Sequence, residues 1–418
     1  MSASVESSLD PIPEAVEAIQ RGEVVIVVDA EDRENEGDFI CAAEKATTEK
    51  INFMLGGRGQ LCCSILPEVG RRLELNPVVA DNNAPLRTAF VTPIDIASAR
   101  TGITAAERSE TIRRMASPEC RVDDFVRPGH VYPLIAKKGG VLRRAGHTEA
   151  AVDLARMAGL QPAGVLCEVL NESGDRASRQ QLVEIAKKHS LKMISIEQLI
   201  AHRRVSEKLV NRAAEAKLPT RYGEFKIIVY SVNFETQEPI VLALGDLTSI
   251  SKEVKDSGES TQAPLVRMHS SCFTGDLVAS LRCDCGDQLH MALEMIAAEG
   301  RGALVYLPQE GRGIGLAEKI KAYALQDQGM DTVEANHALG FKADMRDYGV
   351  GLQILKDLGV REVRLLTNNP KKKQAFNLRG FDLKVVDQVP IVPPVNQHNK
   401  HYLETKREKM GHELPDLG

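Results

Sequence analysis

The sequence contains no tryptophan, and aromatic residues make up only 4% of its 418 positions. Proteins that bind single-stranded nucleic acid stack the bases on aromatic side chains, and this chain has few of them. Basic residues are not in excess either, because 53 Lys and Arg stand against 58 Asp and Glu, which gives a formal net charge of −5. A general nucleic-acid binder needs a basic face that neutralises phosphates. We therefore expect no nucleic-acid partner.

Long hydrophobic runs are also missing from the sequence. No segment approaches the ~18 apolar residues of a membrane-spanning helix, and residues 1–11 contain acidic side chains and no apolar signal-peptide core. The eight cysteines, several of them inside apolar segments, are typical of reduced thiols and metal ligands rather than of a disulfide framework. We therefore expect a cytoplasmic protein that has no membrane partner. The length predicts two or three domains.

Three of the cysteines lie close together in the sequence and predict a metal site. They are Cys272, Cys283 and Cys285, in a C-x10-C-x-C spacing. Thiolates select zinc or iron–sulfur centres, and three protein ligands with one open position are typical of catalytic zinc. The spacing leaves two other interpretations open. The three thiols could be buried without a metal, or His290 could be the fourth ligand of a structural zinc site.

The first half contains an acidic segment between two apolar ones. Glu23–Asp29 is rich in β-branched residues and predicts a buried strand, and residues 39–43 are apolar again. Between them, residues 30–38 hold five carboxylates and one arginine. A charged run of this kind is usually a solvated loop. Its position between two buried segments instead favours compensation of the charge by a divalent cation.

Further polar groups in the first half complete a candidate site. His130 follows a Pro-Gly turn, and His147 follows Arg143 and Arg144 at the predicted start of a helix, where a phosphate is favoured. Glu168 stands in an apolar strand, where a carboxylate is either paired or kept protonated, as a general acid or base requires. Each histidine alone is more often structural. Together these groups predict one site with metal, phosphate and acid–base functions.

The segments E-D-R-E-N-E-G-D, P-G-H-V-Y-P-L and L-R-R-A-G-H-T-E-A-A-V-D-L-A resemble, in this order, those of 3,4-dihydroxy-2-butanone 4-phosphate synthase. The resemblance implies conversion of ribulose 5-phosphate to 3,4-dihydroxy-2-butanone 4-phosphate and formate, with Mg²⁺ or Mn²⁺ held by Glu34 and His147. It implies that His130 and Glu168 are the acid–base groups. The implied substrate-binding residues are Arg33, Glu34, Asp38, Cys62, Arg144, Ala145, Gly146, His147, Thr148 and Glu168.

This half departs from the family pattern at a few positions. Ala30 stands where a second acid is common after Asp29, and Glu107 stands where aspartate is common. Pro93 interrupts a segment that is a strand in the family, and proline is tolerated there only if the strand lies at the edge of a sheet.

In the second half, two predicted strands end in cationic or glycine-rich turns. Residues 303–307 form an apolar run that leads into Q-E-G-R-G-I-G-L at Gln309–Leu316, followed by a helical pattern that includes Lys319. Glu362–Leu366 leads into T-N-N-P-K-K-K. Glycine-rich turns before helices let backbone N–H groups approach phosphates, and open sheets bind ligands at the carboxyl ends of their strands. The sequence thus predicts a polyphosphate ligand beside the three cysteines.

These turns, with H-S-S-C-F-T-G-D, L-R-C-D-C-G, A-D-M-R-D-Y and L-L-T-N-N-P-K-K, resemble GTP cyclohydrolase II from Ala216 to about Gly411. The resemblance implies hydrolysis of GTP to 2,5-diamino-6-(5-phosphoribosylamino)pyrimidin-4-one, formate and pyrophosphate, with Zn²⁺ on the three cysteines and Mg²⁺ on GTP. It implies that Asp344 is a proton acceptor, Arg346 a nucleophile toward the α-phosphate and Tyr323 an assisting group. The implied GTP-binding residues are Arg267, Met268, His269, Ser270, Ser271, Gln288, Glu310, Gly311, Arg312, Thr332, Thr367 and Lys372.

One of these positions departs from the family pattern, because this chain has Ser271 where the family has glutamate.

The two resemblances in this order are typical of the bifunctional riboflavin-biosynthesis proteins of bacteria and plants. The fold class that we expect is α/β, with an α+β domain with a mixed sheet at 1–203 and an α/β nucleotide-binding domain at 219–418. The charged helical pattern that ends at Leu218 and Pro219 predicts a helical linker at 204–218. The family resemblance implies a homodimer in which the partner chain completes the first site. Two alternatives stay open: a protein in which only one half is active and the other is a scaffold, or a zinc-stabilised nucleotide sensor or nucleic-acid binder.

Overall fold

Two seven-stranded sheets organise the chain, one in each of two units, Met1–Arg203 and Arg204–Gly418. The structure is a computed structural model that describes residues 8–234, 236–248, 263–341, 344, 346, 348–376, 381–409 and 411–415. Both units combine helices with a sheet, so the predicted α/β class is confirmed. In these residues, none of the helices has the length and apolarity needed to cross a bilayer.

The first unit alternates strands and helices along its length. Its strands are β1 Val25–Val28, β2 Gly37–Ala42, β3 Cys62–Ile65, β4 Ile94–Ile96, β5 Phe125–Ile135, β6 Gly164–Glu168 and β7 Met193–Ser195. Its helices are α1 Ile12–Arg21, α2 Thr48–Leu55, α3 Pro67–Arg72, α4 Ala105–Ala116, α5 His147–Met157, α6 Arg179–His189 and α7 Ile196–Ser206.

The sheet of the first unit is mixed, as predicted, with strand order β4-β5-β3-β6-β2-β1-β7. The β1/β7 and β3/β5 pairs are parallel, and β1/β2, β2/β6, β3/β6 and β4/β5 are antiparallel. Strand β4 starts directly after Pro93 and lies at the edge of the sheet, where a residue without an N–H is tolerated.

Both faces of this sheet are covered by helices. Along β1, Val25 and Val27 pack with α1 and α5, whereas Ile26 and Val28 pack with the hydrophobic residues of α2 and α4. Successive side chains of a strand point to opposite faces, so a strand that is covered on both sides must be apolar throughout. This explains why the run Glu23–Asp29 has no alternating pattern.

The second unit contains strands β8 Val210–Thr220, β9 Gly223–Val232, β10 Ile240–Leu244, β11 Leu265–Ser270, β12 Gly302–Leu307, β13 Glu362–Leu366 and β14 Lys384–Val389. Its helices are α8 Cys285–Glu299, α9 Leu316–Gln326, α10 Thr332–Ala338, α11 Gly349–Asp357, α12 Pro370–Phe376 and α13 Lys400–Glu408.

The second sheet has one antiparallel and one parallel half, in the order β14-β13-β11-β12-β10-β9-β8. Strands β11, β12, β13 and β14 pair in parallel, and β8, β9, β10 and β12 pair antiparallel. The carboxyl ends of β11, β12 and β13 therefore meet at one edge of the sheet, where an open α/β sheet binds its ligand. The loop that contains Cys272 and Cys283 (the cysteine loop, residues 271–285), the glycine-rich turn and Thr367 follow these three ends.

The predicted helical linker at 204–218 is wrong. Helix α7 ends at Ser206, and from Val210 the chain forms β8, which pairs with β9 from Val210↔Val232 to Thr220↔Gly223. Alanine, glutamate and lysine in residues 213–217 favour a helix when isolated, but the hydrogen bonds of a long hairpin override that weak propensity.

Candidate active sites

The acidic loop of the first unit is folded around a buried aspartate. Asp29 is 2% exposed and accepts hydrogen bonds from the backbone N–H of Glu34 (3.0 Å) and of Glu36 (2.9 Å). The guanidinium of Arg33 donates a hydrogen bond to this carboxylate at 2.9 Å, and Arg33 also forms an ion pair with Glu34. The loop between β1 and β2 is therefore a compact turn that holds its carboxylates together, and not an extended solvated segment.

His147 lies among these carboxylates. Its Nε2 is 3.1 Å from the carbonyl oxygen of Val27, and its Nδ1 is 3.9 Å from a carboxylate oxygen of Glu34 and 3.9 Å from one of Asp38. Burial lowers the pKa of His147 to about 4, so the ring is neutral at neutral pH. With Nε2–H donated to Val27, the lone pair on Nδ1 faces the two carboxylates, which is how a metal-binding histidine is oriented.

Arg33 compensates only part of the negative charge around His147, because it pairs with Asp29 and Glu34. Burial, followed by the charges of Glu168 and Glu36, raises the pKa of Asp38 well above its usual range. Burial and the neighbouring carboxylates raise the pKa of Glu36 to about 7. One oxygen of Asp38 is buried and has no hydrogen-bond partner. In the described residues, Asp29, Glu34 and His147, and also Glu36, Asp38 and His147, bring their ligand atoms within 4.8 Å of each other. This donor set fits a divalent cation.

Two further predicted residues lie beside this cluster in the sheet. Glu168 is opposite Asp38 in the β2/β6 register, and its carboxylate accepts the N–H of Gln60 at 2.7 Å. Cys62 is opposite Leu166, two positions from Glu168. Burial and the charges of Glu168 and Asp38 raise the pKa of the Cys62 thiol, so it is protonated. Its position fits a hydrogen-bonding or packing role and not that of a thiolate.

The predicted phosphate-binding segment forms the start of α5. Gly146 precedes the first residue of the helix, and Thr148 is buried with its carbonyl oxygen bonded to Ser64 at 2.6 Å. Arg144 donates to the buried carboxylate of Glu149 at 2.7 Å and to the hydroxyl of Thr88 at 2.9 Å. The sequence did not identify Glu149 as the partner that orients Arg144. Ala145 completes this segment.

His130 is oriented by an aspartate that the sequence analysis missed. Its Nδ1 lies 2.7 Å from one oxygen of Asp95, and its backbone N–H donates to the other oxygen at 2.9 Å. Gly102, with φ +77°, lies against this pair, because a Cβ there would be 2.0 Å from the Asp95 carboxylate. In the described part of the chain, the hydrogen bonds of the His130 ring go to Asp95 and not to Glu34, Glu168 or His147. The glycine of the segment T-G-I at residues 101–103 was the sequence signal available for this close contact.

We expect Asp95→Asn to lower the turnover of the first half by about tenfold or more, because the amide no longer fixes the ring of His130 for proton transfer. With the activity that the resemblance implies, formate release from ribulose 5-phosphate measures this effect, and KM should change little. Asp123→Asn, at an exposed position, is the matched control. An unchanged kcat in Asp95→Asn would contradict the orienting role.

In the second unit, the three predicted cysteines come together. The sulfur atoms of Cys272 and Cys283 are 3.7 Å apart, and those of all three cysteines lie within 4.8 Å of one another. Only glycine fits at Gly275, because a Cβ there would lie 2.9 Å from the Cys283 sulfur. Hydrogen bonds from the other two thiols, followed by Thr274 and the charge of Lys319, lower the pKa of Cys272. The three thiols therefore form a preformed ligand set for a soft metal ion.

His290 does not belong to this set. It is exposed on α8, and its ring lies 6.0 Å from that of Tyr222. In the described residues, no histidine or carboxylate joins the three sulfurs. The interpretation as a four-ligand site that includes His290 is therefore wrong, and the reason is that position 290 lies beyond the first turn of α8. Three ligands with an open position are the arrangement of a catalytic zinc site.

A cavity opens from the cysteines over the carboxyl ends of β11, β12 and β13. Sixteen of the predicted residues line it: Arg267, His269, Ser270, Ser271, Cys272, Cys283, Cys285, Gln288, Glu310, Gly311, Arg312, Tyr323, Thr332, Arg346, Thr367 and Lys372. Met268 does not, because its side chain points to the opposite face of β11 and packs in the core. Asp344 lies behind the wall of the cavity and holds the guanidinium of Arg346 with contacts of 2.9 and 2.6 Å.

The cavity is crowded with cations. Lys372 is 5% exposed and donates to the carbonyl oxygen of Met268 at 2.7 Å. Burial and the charges of Arg267, Arg346 and Lys406 lower the pKa of Lys372 well below its usual range. An anionic ligand would relieve this repulsion. Burial also raises the pKa of Tyr323 to about 12, so its phenol keeps its proton and can donate it in a hydrogen bond.

The sequence analysis missed several residues of this cavity. Tyr402 and Lys406 come from α13, and His412 comes from the segment after it. Arg282 comes from the cysteine loop and Asn336 from α10. Arg282 stands in the segment L-R-C-D-C-G, but no role was assigned to it. No motif marked Tyr402, Lys406 and His412, because their positions depend on how distant segments pack.

Glu310 and Lys319 join the glycine-rich turn to the cysteine loop. Glu310 accepts the N–H of Phe273 at 2.6 Å and the ammonium of Lys319 at 2.8 Å. Lys319 also donates to the sulfur of Cys272 at 3.0 Å and to the hydroxyl of Thr274 at 2.9 Å. A cation at this position reduces the negative charge that three thiolates accumulate around a divalent metal.

If the cysteines bind zinc and the cavity binds GTP, as the resemblance implies, Lys319→Met should release zinc faster to a chelator and lower GTP turnover by about 10- to 100-fold, the range for partners of metal ligands. Lys321→Met is the matched control, since Lys321 is exposed on the same helix and pairs with Glu318. Zinc release is followed with a colorimetric chelator. Equal release rates for Lys319→Met and the wild type would show that the contact with Cys272 does not matter.

Two family models match the chain, one in each half. The model described as 3,4-dihydroxy-2-butanone 4-phosphate synthase matches residues 13–202. The model described as GTP cyclohydrolase II matches residues 211–390.

Known proteins are similar over nearly the whole length. Riboflavin biosynthesis protein RibBA from Bacillus cereus is 54% identical over 404 residues, which is 96% of this chain and 98% of that protein. RibBA from Bacillus velezensis is 53% identical over 405 residues, or 97% and 99% of the two chains. Among solved structures, RibBX, a two domain 3,4-dihydroxy-2-butanone 4-phosphate synthase from A. baumannii, is 33% identical with a TM-score of 0.70. It covers 92% of this chain and 100% of its own.

Proposed function

The chain belongs to the family of riboflavin biosynthesis proteins that join a 3,4-dihydroxy-2-butanone 4-phosphate synthase to a GTP cyclohydrolase II, and on this premise we propose how its residues carry the two reactions. The first half is the lyase that converts ribulose 5-phosphate to 3,4-dihydroxy-2-butanone 4-phosphate and formate. The second half is the hydrolase that opens GTP to the diaminopyrimidine, formate and pyrophosphate. We assign the unit Met1–Arg203 to the first activity and the unit Arg204–Gly418, which includes β8, to the second.

In the first half, Glu34 and His147 hold Mg²⁺ or Mn²⁺, which when bound supplies Lewis acidity to the oxygens of the sugar. The neutral, buried His147, with Nδ1 at 3.9 Å from two carboxylates, is the observation that carries this assignment. Arg33, Asp38 and the segment 144–148 bind the sugar phosphate, the last through a helix N-terminus. Glu168 and His130 exchange protons with the substrate.

In the second half, Cys272, Cys283 and Cys285 hold Zn²⁺, which when bound supplies Lewis acidity for hydrolysis of the purine ring. The three clustered sulfurs in the lining of a cationic cavity are the observation that carries this assignment. They argue against a nucleotide sensor or nucleic-acid binder with a closed structural zinc site.

The cations of the cavity bind the triphosphate of GTP, which carries its own Mg²⁺. Arg267, Arg312 and Lys372 lie on the cavity wall, where their charges meet the phosphates. Burial opposes the charge on Arg346, but Tyr348 and the pair with Asp344 outweigh it and raise the pKa of Arg346, so this guanidinium enters the reaction protonated. A nucleophilic role toward the α-phosphate requires loss of that proton, and Asp344 is the acceptor in contact with it.

The test is formate release by one purified preparation from both substrates. Ribulose 5-phosphate with Mg²⁺ and GTP with Zn²⁺ and Mg²⁺ should each yield one formate per turnover. A protein that releases formate from only one of them leaves the other half without the proposed activity.

A chain with one active half is the second candidate. RibBX from A. baumannii covers the same two-domain length and is described as a 3,4-dihydroxy-2-butanone 4-phosphate synthase, and Ser271 replaces a family glutamate in the GTP pocket. The retained cysteines favour two activities. No GTP turnover at high enzyme concentration, together with normal turnover of ribulose 5-phosphate, would select the second candidate.

We also infer a cytoplasmic homodimer that acts on small molecules without a nucleic-acid or membrane partner. The eight cysteines are free, which suits a reducing compartment. His130 is paired with Asp95 and its side chain is 44% exposed, so it is available to a second chain. Mixing His130→Ala with Glu34→Gln protein should restore part of the lyase activity if two chains share a site. No restoration would favour sites built within single chains.

A further inference from the structure

The C-terminal helix α13 lies beyond the residues matched by the GTP cyclohydrolase II model, which end at residue 390. It nevertheless supplies Tyr402 and Lys406 to the wall of the GTP cavity, and His412 follows shortly after it. We propose that α13 forms part of the nucleotide-binding site and that Lys406 is a positioning residue for the cysteine loop. The proposal rests on the assignment of this cavity to GTP and names a further residue that acts in it.

Lys406 is tied to the loop that carries the cysteines. Its ammonium lies 2.5 Å from a carboxylate oxygen of Asp284, the residue between Cys283 and Cys285. The side chains of Lys406 and Asp284 are 9% and 1% exposed. A carboxylate fixed at this point restrains the backbone on both sides of it, and therefore the directions in which the two neighbouring sulfurs point.

The contact continues from Asp284 into the sheet. The second oxygen of Asp284 accepts the amide of Gln288 at 2.7 Å, and the carbonyl of Gln288 accepts the guanidinium of Arg267. Arg267 also donates to the carbonyl oxygen of Leu366 at 2.8 Å. These hydrogen bonds thus connect α13 through the cysteine loop and α8 to β11 and β13. Gln288 and Arg267 are residues of the GTP pocket, so a change at Lys406 reaches them through Asp284.

Tyr402 extends the same wall toward the glycine-rich turn. The ammonium of Lys406 lies 4.4 Å from the centre of the Tyr402 ring, and the guanidinium of Arg312 lies 5.7 Å from that ring. The Tyr402 hydroxyl accepts a hydrogen bond from Arg312 at 3.5 Å. A cation over an aromatic face is attracted to it. Tyr402 therefore connects Lys406 to Arg312 on the cavity wall.

The helix is held at its far end as well. Lys409 pairs with Glu334 at 3.0 Å and also with Asp331, which caps α10. After the helix, the N–H of Glu413 donates to the carbonyl of Asn368 at 2.9 Å, beside Thr367. These contacts already attach α13 to the domain. A buried ion pair costs desolvation that an apolar contact would not, so the Lys406–Asp284 pair is better explained by control of the loop than by attachment alone.

The experiment compares Lys406→Met, Asp284→Asn and the double variant in the full-length protein loaded with zinc. The first readout is the rate of zinc release to a chelator, which needs no GTP. Lys406→Met should release zinc at least about tenfold faster, as for other partners of metal ligands. Asp284→Asn should do the same, and the double variant should be no faster than the faster single variant, because both changes break one contact. Lys400→Met, at an exposed position of the same helix, is the matched control.

The second readout is GTP turnover, with formate from ribulose 5-phosphate as the internal measure of folded protein. Lys406→Met should lower kcat for GTP about tenfold or more, and Lys406→Arg should restore a large part of it, because arginine can still pair with Asp284. Release of zinc from Lys406→Met at the wild-type rate would overturn the proposal. So would a release rate in the double variant that is accelerated by the product of the two single effects. A wild-type protein that holds zinc but does not turn over GTP would contradict the assigned function. The comparison of zinc-release rates among the single and double variants would still test the role of Lys406.

Discussion

Replacing Cys283 by serine should abolish opening of the GTP ring and leave the release of formate from ribulose 5-phosphate unchanged. Cys283 is 6% exposed, and its sulfur lies 3.7 Å from that of Cys272. A serine hydroxyl is a harder ligand than a thiolate and binds zinc poorly. Loss of a partner of a metal ligand costs about 10- to 100-fold in affinity or activity. Loss of the ligand itself should exceed that range, and the zinc content should fall well below one per chain.

The control for this change is Cys120→Ser. Cys120 is also buried, but its sulfur lies 3.0 Å from a guanidinium nitrogen of Arg72, so a hydroxyl suits its surroundings. Zinc content, GTP turnover and lyase turnover are measured on the same preparations. If Cys283→Ser kept stoichiometric zinc and wild-type GTP turnover, the three-cysteine site would not be the hydrolytic centre. If it lost both activities, misfolding would be the explanation.

The regular elements could be predicted wherever the local pattern agrees with the final environment. The run Glu23–Asp29 predicts a buried strand, and β1 occupies Val25–Val28, because β-branched side chains suit a strand covered on both faces. The sequence of Pro13–Arg21, followed by Gly22, predicts a short helix, and α1 occupies Ile12–Arg21 with Gly22 in the left-handed region after it. The prediction of a helix at residues 204–218 was wrong, because β8 is stabilised by its hydrogen bonds with β9 and not by the helix propensity of its residues.

The sites could be predicted where their residues stand in one short segment. The three cysteines and the carboxylates of the acidic loop belong to this group, whereas His147 joins those carboxylates from the start of α5. The partners that orient them could not be predicted. Asp95 reaches His130 from 35 residues away, and Lys406 reaches Asp284 from 122 residues away. Such pairs depend on which strands and helices are neighbours, and a single sequence does not contain that information locally.

Replacing His147 by leucine should remove the lyase activity and leave the GTP reaction intact. Leucine is close to histidine in volume and fills the buried position, but it offers no nitrogen to a cation. In the wild type, Nδ1 lies 3.9 Å from carboxylates of Glu34 and Asp38, and burial keeps the ring neutral by lowering its pKa to about 4. We expect formate release from ribulose 5-phosphate to fall by more than about 100-fold, beyond the effect of removing a partner of a ligand.

The metal dependence separates this explanation from a packing defect. After treatment with a chelator, the wild type should recover its lyase activity as Mg²⁺ or Mn²⁺ is added back, and His147→Leu should recover none at the same concentrations. His189→Leu is the control, because His189 is exposed and contacts Phe53 edge to face at 5.1 Å. Recovery of His147→Leu to the wild-type level would mean that Glu34 and the neighbouring carboxylates suffice for the cation. The ligand role of His147 would then be wrong, although its hydrogen bond to Val27 would still explain its burial.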